Sequence, residues 1–286
     1  MNGAADVVVS QHPSGGALGG TATLCLTRDP EPFYQGVRQI MCDLLAISAG
    51  HNYTPKQYLP LFAERGRRNM DGWGIGFFRE GQALVETSAE QVYPGYQVHE
   101  SFQRLARVID SRIIIAHVRC SLSGGHHRGD SHPFTLDFLD HSWLFAHVGV
   151  VEGIDQYRTR NEPRLEVEVY SARIFEYLRD QLLALYRLNP YLSLYTALGV
   201  GVEKLLSEYP GHYAFFLANE SVIFAFCNFR QFLVLREAET VGDILLITTV
   251  EEGLSSKNWF ALRPEEGSRG TMLVIAGPEL LHLGKV

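Results

Sequence analysis

The chain has 286 residues, 46% of them hydrophobic and 20% charged, so it can bury the core of one large domain or two small ones. Its formal net charge of −7 argues against a nucleic-acid-binding protein, because such proteins usually present a basic face. Runs of about 18 apolar residues and a signal-peptide pattern are both absent, so the sequence predicts a cytoplasmic protein without a membrane span.

The N-terminal part of the chain differs in composition from the rest. Residues 1–41 are rich in Gly, Ala, Ser and Thr and show little periodicity, which predicts a poorly ordered extension. Residues 42–286 have the pattern of a packed domain that contains both strands and helices. The sequence therefore predicts two regions that meet at residue 42.

Short apolar runs that are typical of strands recur throughout residues 42–286, and three further segments have apolar residues at helical spacing. The strand-like runs are residues 75–78, 112–117, 143–147, 214–218, 222–227, 244–249 and 272–275, and the helical segments are residues 102–109, 167–185 and 198–206. Strands follow one another in groups with turn residues between them. This order favours antiparallel pairing over a regular βαβ repeat.

Cys42 stands directly after a methionine. An initiator methionine is removed readily before a small residue, so a chain that starts at Met41 would begin with Cys42 after processing. The α-amine of a first residue has a pKa of roughly 7.7–8.0 and can take the thiol proton, which makes one residue both nucleophile and base. Because residues 1–41 would block this chemistry, we expect a true start at Met41, which the Met-Cys pair favours, or removal of a propeptide.

Five short segments form a consistent series along the chain. They are MCDLLAI at residues 41–47, NMDGWGI at 69–75, IAHVR at 115–119, SHPF at 131–134 and LFAHVG at 144–149. In order and spacing they resemble the MCxLLG, DGWGI, AHxR, THPF and AHNG motifs of the small stand-alone class II glutamine amidotransferases. Residues 211–225 and 248–259 resemble that family's late hairpin and SEPL…W segment. The resemblance covers about residues 42–286 and implies an α+β fold, the four-layer α/β/β/α sandwich of the N-terminal-nucleophile hydrolases.

The resemblance also implies a role for each matching residue. Cys42 would attack the side-chain amide of glutamine or of a γ-glutamyl compound and form a thioester. Arg119 would bind the substrate's α-carboxylate, a task that suits a two-pronged guanidinium. The backbone N–H of Gly149 would donate to the oxyanion of the tetrahedral intermediate. The other matching residues would line the pocket (His132) or shape the loop beside the nucleophile (Asp71, Gly72 and Trp73).

Three positions depart from the family pattern. Val148 replaces the asparagine that precedes the oxyanion-hole glycine, and loss of one such donor should lower the rate about a hundred- to a thousandfold. Tyr170 stands where an aspartate would bind the substrate's α-amino group, and Ala172 replaces a glutamate. A phenol is not an anion at pH 7, so it cannot replace a carboxylate as the partner of an ammonium group. Glu166 and Glu168 are the nearest acidic residues that would have to take its place.

These departures leave three interpretations open. Either the domain has lost glutaminase activity and serves as a binding or assembly subunit, or it acts on an amide that lacks a free α-amine, or it acts slowly on glutamine. The retained Met-Cys pair, Arg119 and His132 argue against complete decay, so an amidohydrolase is the leading hypothesis. No synthetase domain follows in the sequence, so we expect that any acceptor chemistry involves a separate partner subunit. The resemblance implies no cofactor.

Simpler structural roles are the alternative for several of these residues. Free cysteines are usually small buried apolar residues, so Cys42 without its motif context would be assigned to the core. Arg119 on its own would be interpreted as an exposed strand residue or half of an ion pair. His117 and His147 are expected to pack and to form hydrogen bonds rather than to take part in catalysis.

One group of residues has the composition of a metal site. Zinc favours histidine and carboxylate ligands. Four such residues lie within seven positions of one another, namely His126, His127, Asp130 and His132. Serine and glycine residues surround them, as is typical of a flexible polar loop. No metal site is therefore predicted.

Overall fold

The computed structural model describes residues 42–65, 71–120, 131–167, 169–237 and 243–286, which belong to one compact unit. The predicted extension at residues 1–41 lies outside the described residues, as do His126, His127 and Asp130 of the histidine-rich loop. Within the described ranges, no helix is both long and apolar enough to cross a bilayer.

The described residues form thirteen strands and four α-helices. The strands are β1 (Asp43–Tyr53), β2 (Trp73–Arg79), β3 (Gln82–Ser88), β4 (Ser111–Val118), β5 (Phe134–Phe138), β6 (His141–Val148), β7 (Ala214–Ala218), β8 (Ile223–Cys227), β9 (Phe232–Glu237), β10 (Ile244–Thr248), β11 (Phe260–Leu262), β12 (Thr271–Ala276) and β13 (Glu279–Lys285). The helices are α1 (Tyr58–Arg65), α2 (Glu100–Val108), α3 (Tyr170–Leu188) and α4 (Leu194–Glu208).

The strands form two sheets, and every pair of neighbouring strands within them is antiparallel, as the clustering of strand-like runs predicted. The first sheet has the order β11-β9-β10-β1-β4-β2-β3, so β1 is its central strand. The second sheet has the order β13-β12-β8-β7-β6-β5. The nucleophile candidate therefore precedes a strand that is held by neighbours on both sides.

Three apolar cores divide the molecule into four layers. The strand period of two sends alternate residues of β1 to opposite faces, so Leu44 and Ala46 pack between the two sheets while Leu45 and Ile47 pack against α1 and α2. A third core joins the outer face of the second sheet to α3 and α4. The order of layers is α/β/β/α, which confirms the predicted fold class.

The long predicted helix begins later than its apolar spacing indicated. Val167 continues the helical pattern, but Val169 has an extended backbone (φ −103°, ψ 144°) and α3 begins at Tyr170. A polar network ties the preceding segment to the helix. Arg179 donates to Thr159 Oγ1 (2.6 Å), and the backbone N–H of Leu165 donates to Glu176 (2.9 Å). These bonds fix the position of Tyr170 at the start of α3.

Candidate active site

Cys42 lies immediately before β1, at the end of the sandwich where that strand begins. Its Sγ atom accepts a hydrogen bond from the backbone N–H of Cys120 (3.2 Å), and its S–H donates to the carbonyl oxygen of the same residue (3.4 Å). Cys42 is half-buried and packs against the core between the sheets. The strand register thus brings together two residues that are 78 positions apart in the sequence.

The surroundings of the Cys42 thiol disfavour its ionisation. Burial raises the pKa of the Cys42 thiol to about 11, although the N–H of Cys120 and the charge of Arg119 act in the opposite direction. A thiol with this pKa is almost fully protonated at pH 7. Neither of the Sγ hydrogen bonds among the described residues involves a side-chain base. Nucleophilic chemistry at Cys42 therefore needs a base from elsewhere.

Arg119 follows β4 and is connected to the loop that precedes β2. Its backbone N–H donates to Gly72 (2.8 Å), its carbonyl oxygen accepts from Asp71 (3.2 Å), and its Nη1 donates to the Asp71 carbonyl (3.4 Å). Gly72 has a φ of +122°, and a Cβ there would lie 2.5 Å from the Ser88 carbonyl oxygen. Only glycine fits this close approach. Three of the predicted site residues (Asp71, Gly72 and Arg119) therefore lie together.

Trp73 lies beside this loop but faces the other side of the sheet. Its side chain is 2% exposed and packs in the core beneath α1 and α2, with an edge-on contact to Phe102 (5.1 Å between ring centroids). It pairs with Val118, which faces the same core, whereas the neighbouring His117 faces the second sheet. Trp73 therefore anchors the Asp71–Gly72 loop in the core on the helix-covered face of the first sheet.

His117, His132 and His147 form a buried cluster next to Arg119. The rings of His117 and His132 are 4.4 Å apart, and His147 Nδ1 is 3.1 Å from the Ser171 hydroxyl. Among the described residues, both nitrogens of His117 and Nδ1 of His132 have no hydrogen-bond partner. Burial lowers the pKa of His117 and of His147 to about 3 and that of His132 well below its usual value. All three rings are therefore neutral at pH 7.

We expect the free energy of unfolding to fall as the pH drops below 6.5, the ordinary pKa of histidine. Between pH 6.5 and about 3 the unfolded chain binds protons that the folded His117 and His147 exclude. Their stabilising contribution is therefore fully present above this range and is lost as the pH falls through it. Each histidine should remove up to about 1.4 kcal/mol of stability per pH unit. Chemical denaturation between pH 7 and pH 5 measures the effect.

A matched pair of variants separates the cluster from other histidines. His117→Gln should reduce the pH dependence by one histidine's contribution, because glutamine does not titrate. His141→Gln, which removes an exposed ring on β6, is the matched control and should keep a larger pH dependence than His117→Gln. A free energy of unfolding that is constant over this range in the native protein would contradict the prediction.

Gly149 follows β6 at the same end of the sandwich. Its φ is +149°, and a Cβ there would lie 1.8 Å from the carbonyl oxygen of His212. Val148, directly before it, is 3% exposed and packs in the core between the sheets, where Leu44 also packs. The predicted oxyanion-hole position is therefore a glycine that no other residue could replace, preceded by a side chain without a polar atom.

Tyr170 connects this glycine with the nucleophile candidate. Its hydroxyl donates to the carbonyl oxygen of Gly149 (2.8 Å), and its side chain is partly exposed. Burial raises the pKa of the Tyr170 phenol, the Cys42 thiol raises it further, and Arg119 lowers it. The phenol thus lies within electrostatic reach of both Cys42 and Arg119. Tyr170 is therefore a further residue of the candidate site.

Two of the other residues considered at the start of α3 lie in different surroundings. Ala172 is fully buried in the core between α3 and the second sheet. Glu166 is exposed to solvent, and Glu168 lies outside the described residues. Within the described part of the chain, no group of three or more histidine, cysteine or acidic side chains has the geometry to hold a metal ion.

Three residues near Cys42 were not predicted from the sequence. Arg230 Nη1 donates to the Cys42 carbonyl oxygen (2.9 Å), and the N–H of Leu44 donates to Thr249 Oγ1 (2.9 Å). Cys120 supplies the backbone groups that hold Sγ. The sequence signals only Arg230, as an arginine between two strongly apolar strands. That signal does not reveal its partner Cys42, which is 188 residues away.

Comparison with known protein families decides the assignment. The family model of the class II glutamine amidotransferases matches residues 41–245, well over half of the chain. The chain belongs to the class II glutamine amidotransferases. The matched range begins directly before Cys42 and includes all five motif segments and the candidate site residues.

Relatives of this amidotransferase chain share between a quarter and a third of the aligned residues. An Escherichia coli protein named as a glutamine amidotransferase is 25% identical over 225 residues, 76% of this chain and 85% of that protein. The γ-glutamyl-hercynylcysteine sulfoxide hydrolase of Mycobacterium tuberculosis is 30% identical over 114 residues, 40% of this chain and 46% of that enzyme. A Methanocaldococcus jannaschii protein is 30% identical over 115 residues, but the chain spans only 32% of its length.

Solved structures share the fold of the amidotransferase chain. A Pseudomonas aeruginosa protein described as a glutamine amidotransferase has a TM-score of 0.56 at 20% identity, covering 84% of this chain and 100% of its own. The glutamine phosphoribosylpyrophosphate amidotransferase of B. subtilis has a TM-score of 0.55 at 15% identity, covering 86% of this chain and 49% of its own. At these identities the likeness establishes the fold alone.

Proposed function

We propose that this domain is an amidohydrolase that cleaves the side-chain amide of glutamine or of a γ-glutamyl compound through a thioester on Cys42. The chemistry requires Cys42 to be the first residue of the working protein. We further propose that the protein acts in the cytoplasm, because a reducing compartment suits its free thiols Cys42, Cys120 and Cys227.

The proposed reaction proceeds in two steps. The α-amine of Cys42 takes the thiol proton, and the thiolate attacks the amide carbonyl carbon to give a tetrahedral intermediate. The C–N bond then breaks, and the protonated α-amine of Cys42 returns its proton to the leaving nitrogen. That nitrogen departs as ammonia or as an amine, and the acyl group stays on Cys42 as a thioester. A water molecule hydrolyses the thioester to the free acid and restores the thiol. In this scheme the N–H of Gly149 donates to the oxyanion.

The observation that carries this proposal is the position of the Cys42 thiol. It sits at the start of the central strand, and its pKa of about 11 is too high for it to ionise at pH 7 without a base. Both of its hydrogen bonds with described residues go to the backbone of Cys120. An α-amine on the same residue would supply the missing base without any further side chain.

A carboxylate on the substrate would find a cation beside this thiol. Arg119 is close enough to Cys42 to lower its pKa, and His132 lies in the neutral cluster next to it. We therefore propose that Arg119 binds the substrate's α-carboxylate and that His132 lines the same pocket. The Mycobacterium tuberculosis relative is named for the hydrolysis of a γ-glutamyl compound, which supports an amide of this class as substrate.

A non-catalytic subunit is the second candidate, and two observations favour it. Val148 presents an aliphatic side chain next to the proposed oxyanion hole, where a second donor would help catalysis. Tyr170 brings a neutral phenol, rather than a carboxylate, to the neighbourhood of Cys42 and Arg119. Neither feature interferes with folding, so a chain of this kind would keep the sandwich for docking.

The variant Val148→Asn tests which candidate is correct. We expect its rate of glutamate release from glutamine or a γ-glutamyl peptide to exceed that of the native protein by up to about a hundredfold, because asparagine adds a donor for the oxyanion. Burial of the amide should at the same time lower the free energy of unfolding by about 1–3 kcal/mol. Glutamate release and chemical denaturation measure the two effects on the same preparation.

Val148→Ala is the matched control, because it disturbs the same packing without adding a donor. It should be destabilised and should gain no activity. If glutamate is released by neither the native protein nor Val148→Asn, the enzyme proposal fails and the subunit candidate replaces it. If Val148→Asn is merely as active as the native protein, the proposed oxyanion hole is wrong.

A further inference from the structure

Arg230 lies in the connection between β8 and β9, and its guanidinium contacts the backbone of Cys42. Its Nη1 donates to the Cys42 carbonyl oxygen (2.9 Å), and its Nη2 donates to the Thr249 carbonyl (2.7 Å) and to Asp43 Oδ1 (3.2 Å). Only 15% of its side chain is exposed. A buried guanidinium is stable only where hydrogen bonds and an opposite charge compensate its lost hydration, and all are present here.

These bonds join three separate segments of the chain. Arg230 comes from the β8–β9 connection, Cys42 and Asp43 stand at the start of β1, and Thr249 directly follows β10. Thr249 also holds the start of β1 in place, because its N–H donates to the Leu44 carbonyl (3.1 Å) and its Oγ1 accepts from the Leu44 N–H (2.9 Å). The planar guanidinium fixes orientation as well as distance, which an ammonium group cannot do. The backbone at Cys42 is therefore held from the side of β10.

The charges around Cys42 come from several elements. Near the thiol or its neighbour Asp43 lie two cations and several groups that are negative when ionised: Arg230, Arg119, Asp43, Glu251, Cys120 and Tyr170. Burial raises the pKa of Asp43, and Arg230 lowers it. A cation beside an amine disfavours the protonated amine, and an anion favours it. Arg230 and Asp43 thus act in opposite directions on an amine at Cys42.

We propose that Arg230 is a positioning residue that fixes the Cys42 backbone and helps to keep the α-amine of Cys42 in its neutral, proton-accepting form. This inference rests on the proposed function, since an α-amine exists only if Cys42 is the first residue. The alternative is a purely structural ion pair, in which Arg230 compensates Asp43 and has no effect on the reactivity of Cys42. The two differ in what they predict for the pH dependence of the reaction.

The test measures the rate at which a glutamine-analogue electrophile labels Cys42 in the native protein as a function of pH. In Arg230→Met, Cys42 loses a cation and Asp43 loses the charge that offsets it. We expect the labelling rate at pH 7 to fall about tenfold or more, and the acidic limb of the pH profile to move up by about half a unit or more. Asp43→Asn should move the same limb down.

Two further variants separate position from charge. Arg230→Lys keeps the positive charge but loses the planar, paired donors of the guanidinium. The acidic limb of its pH profile should therefore stay in place, while kcat for amide hydrolysis falls and KM changes little. Arg236→Met is the matched control. It removes a guanidinium on β9 that pairs with Glu279 of β13. Arg236 lies opposite Leu245, which lies opposite Ser48, so it is about 20 Å from Cys42 along the sheet. Its pH profile and rate should equal those of the native protein.

The outcomes separate this inference from the proposed function. If the native protein is not labelled at Cys42, the proposed function fails. If the native protein is labelled but Arg230→Met and Asp43→Asn keep its pH profile and rate, the positioning role is overturned and the ion pair is structural. Should Arg230→Met not fold, as judged by thermal unfolding, Arg230→Lys and Asp43→Asn decide. In that case the proposal is overturned if Arg230→Lys keeps the native kcat and Asp43→Asn keeps the native acidic limb.

Discussion

Cys42→Ala should lose the hydrolysis of any glutamine-like amide by about four to six orders of magnitude, because the variant has no atom that can form the thioester. Cys42→Ser should also lose most of the activity, since a hydroxyl is harder to ionise and intrinsically less nucleophilic than a thiol. Among the described residues, the Cys42 thiol makes two weak hydrogen bonds, both to the Cys120 backbone, so the thermal stability of both variants should stay close to native. Glutamate release and electrophile labelling measure the loss.

Cys120→Ala is the matched control for this prediction. It removes the thiol of the residue whose backbone contacts Cys42, but it keeps the backbone N–H and carbonyl groups that hold Cys42 Sγ. Labelling and turnover should remain near the native level. If Cys42→Ala keeps the native activity, or if the label maps to Cys120, Cys42 is not the nucleophile.

Gly149→Ala should combine a large loss of stability with a large loss of activity. The added Cβ would lie 1.8 Å from the His212 carbonyl oxygen, so the backbone at one of the two positions must move, in addition to the strain of a φ of +149°. We expect the free energy of unfolding to fall by about 3 kcal/mol or more. Displacement of the proposed oxyanion donor should lower kcat about a hundred- to a thousandfold in the molecules that still fold.

Gly153→Ala separates the collision from the backbone strain. Gly153 also has a positive φ (+74°), but a Cβ there would meet no atom within 4 Å. This variant should lose only about 1–2 kcal/mol of stability, the usual cost of a left-handed conformation, and should keep its activity. Equal destabilisation of the two variants, measured by chemical denaturation, would contradict the close approach of His212 to Gly149.

The strands that were predicted from the sequence have two apolar faces, although β1 and β9 are buried in the same way over most of their length and were not among the predicted runs. β2, β7, β8 and β12 are buried over almost their whole length, so each gives a continuous apolar run. β3 alternates between exposed and half-buried residues, and β13 is an edge strand whose residues are mostly exposed or half-buried. Such strands have no continuous apolar signal. Their position depends on pairing with β2 and β12, which a single sequence does not reveal.

The candidate site shows the same division between local and long-range information. Asp71, Gly72, Arg119 and Gly149 were found because each belongs to a short motif at the end of a strand. Arg230 was not predicted as a site residue, because its proposed role depends on contact with Cys42, which is 188 residues away in the sequence. His117 and His147 were expected to pack, and His132 was expected to line the substrate pocket. Their close approach to one another arises from the stacking of the two sheets.

An intact-mass measurement of the protein isolated from its own cells tests the central claim most directly, because the proposed mechanism needs a free α-amine on Cys42. The proposal predicts a chain that starts at Cys42, with Met41 and all earlier residues absent. A native chain that retains residue 41, so that the Cys42 nitrogen is part of a peptide bond, would contradict the mechanism.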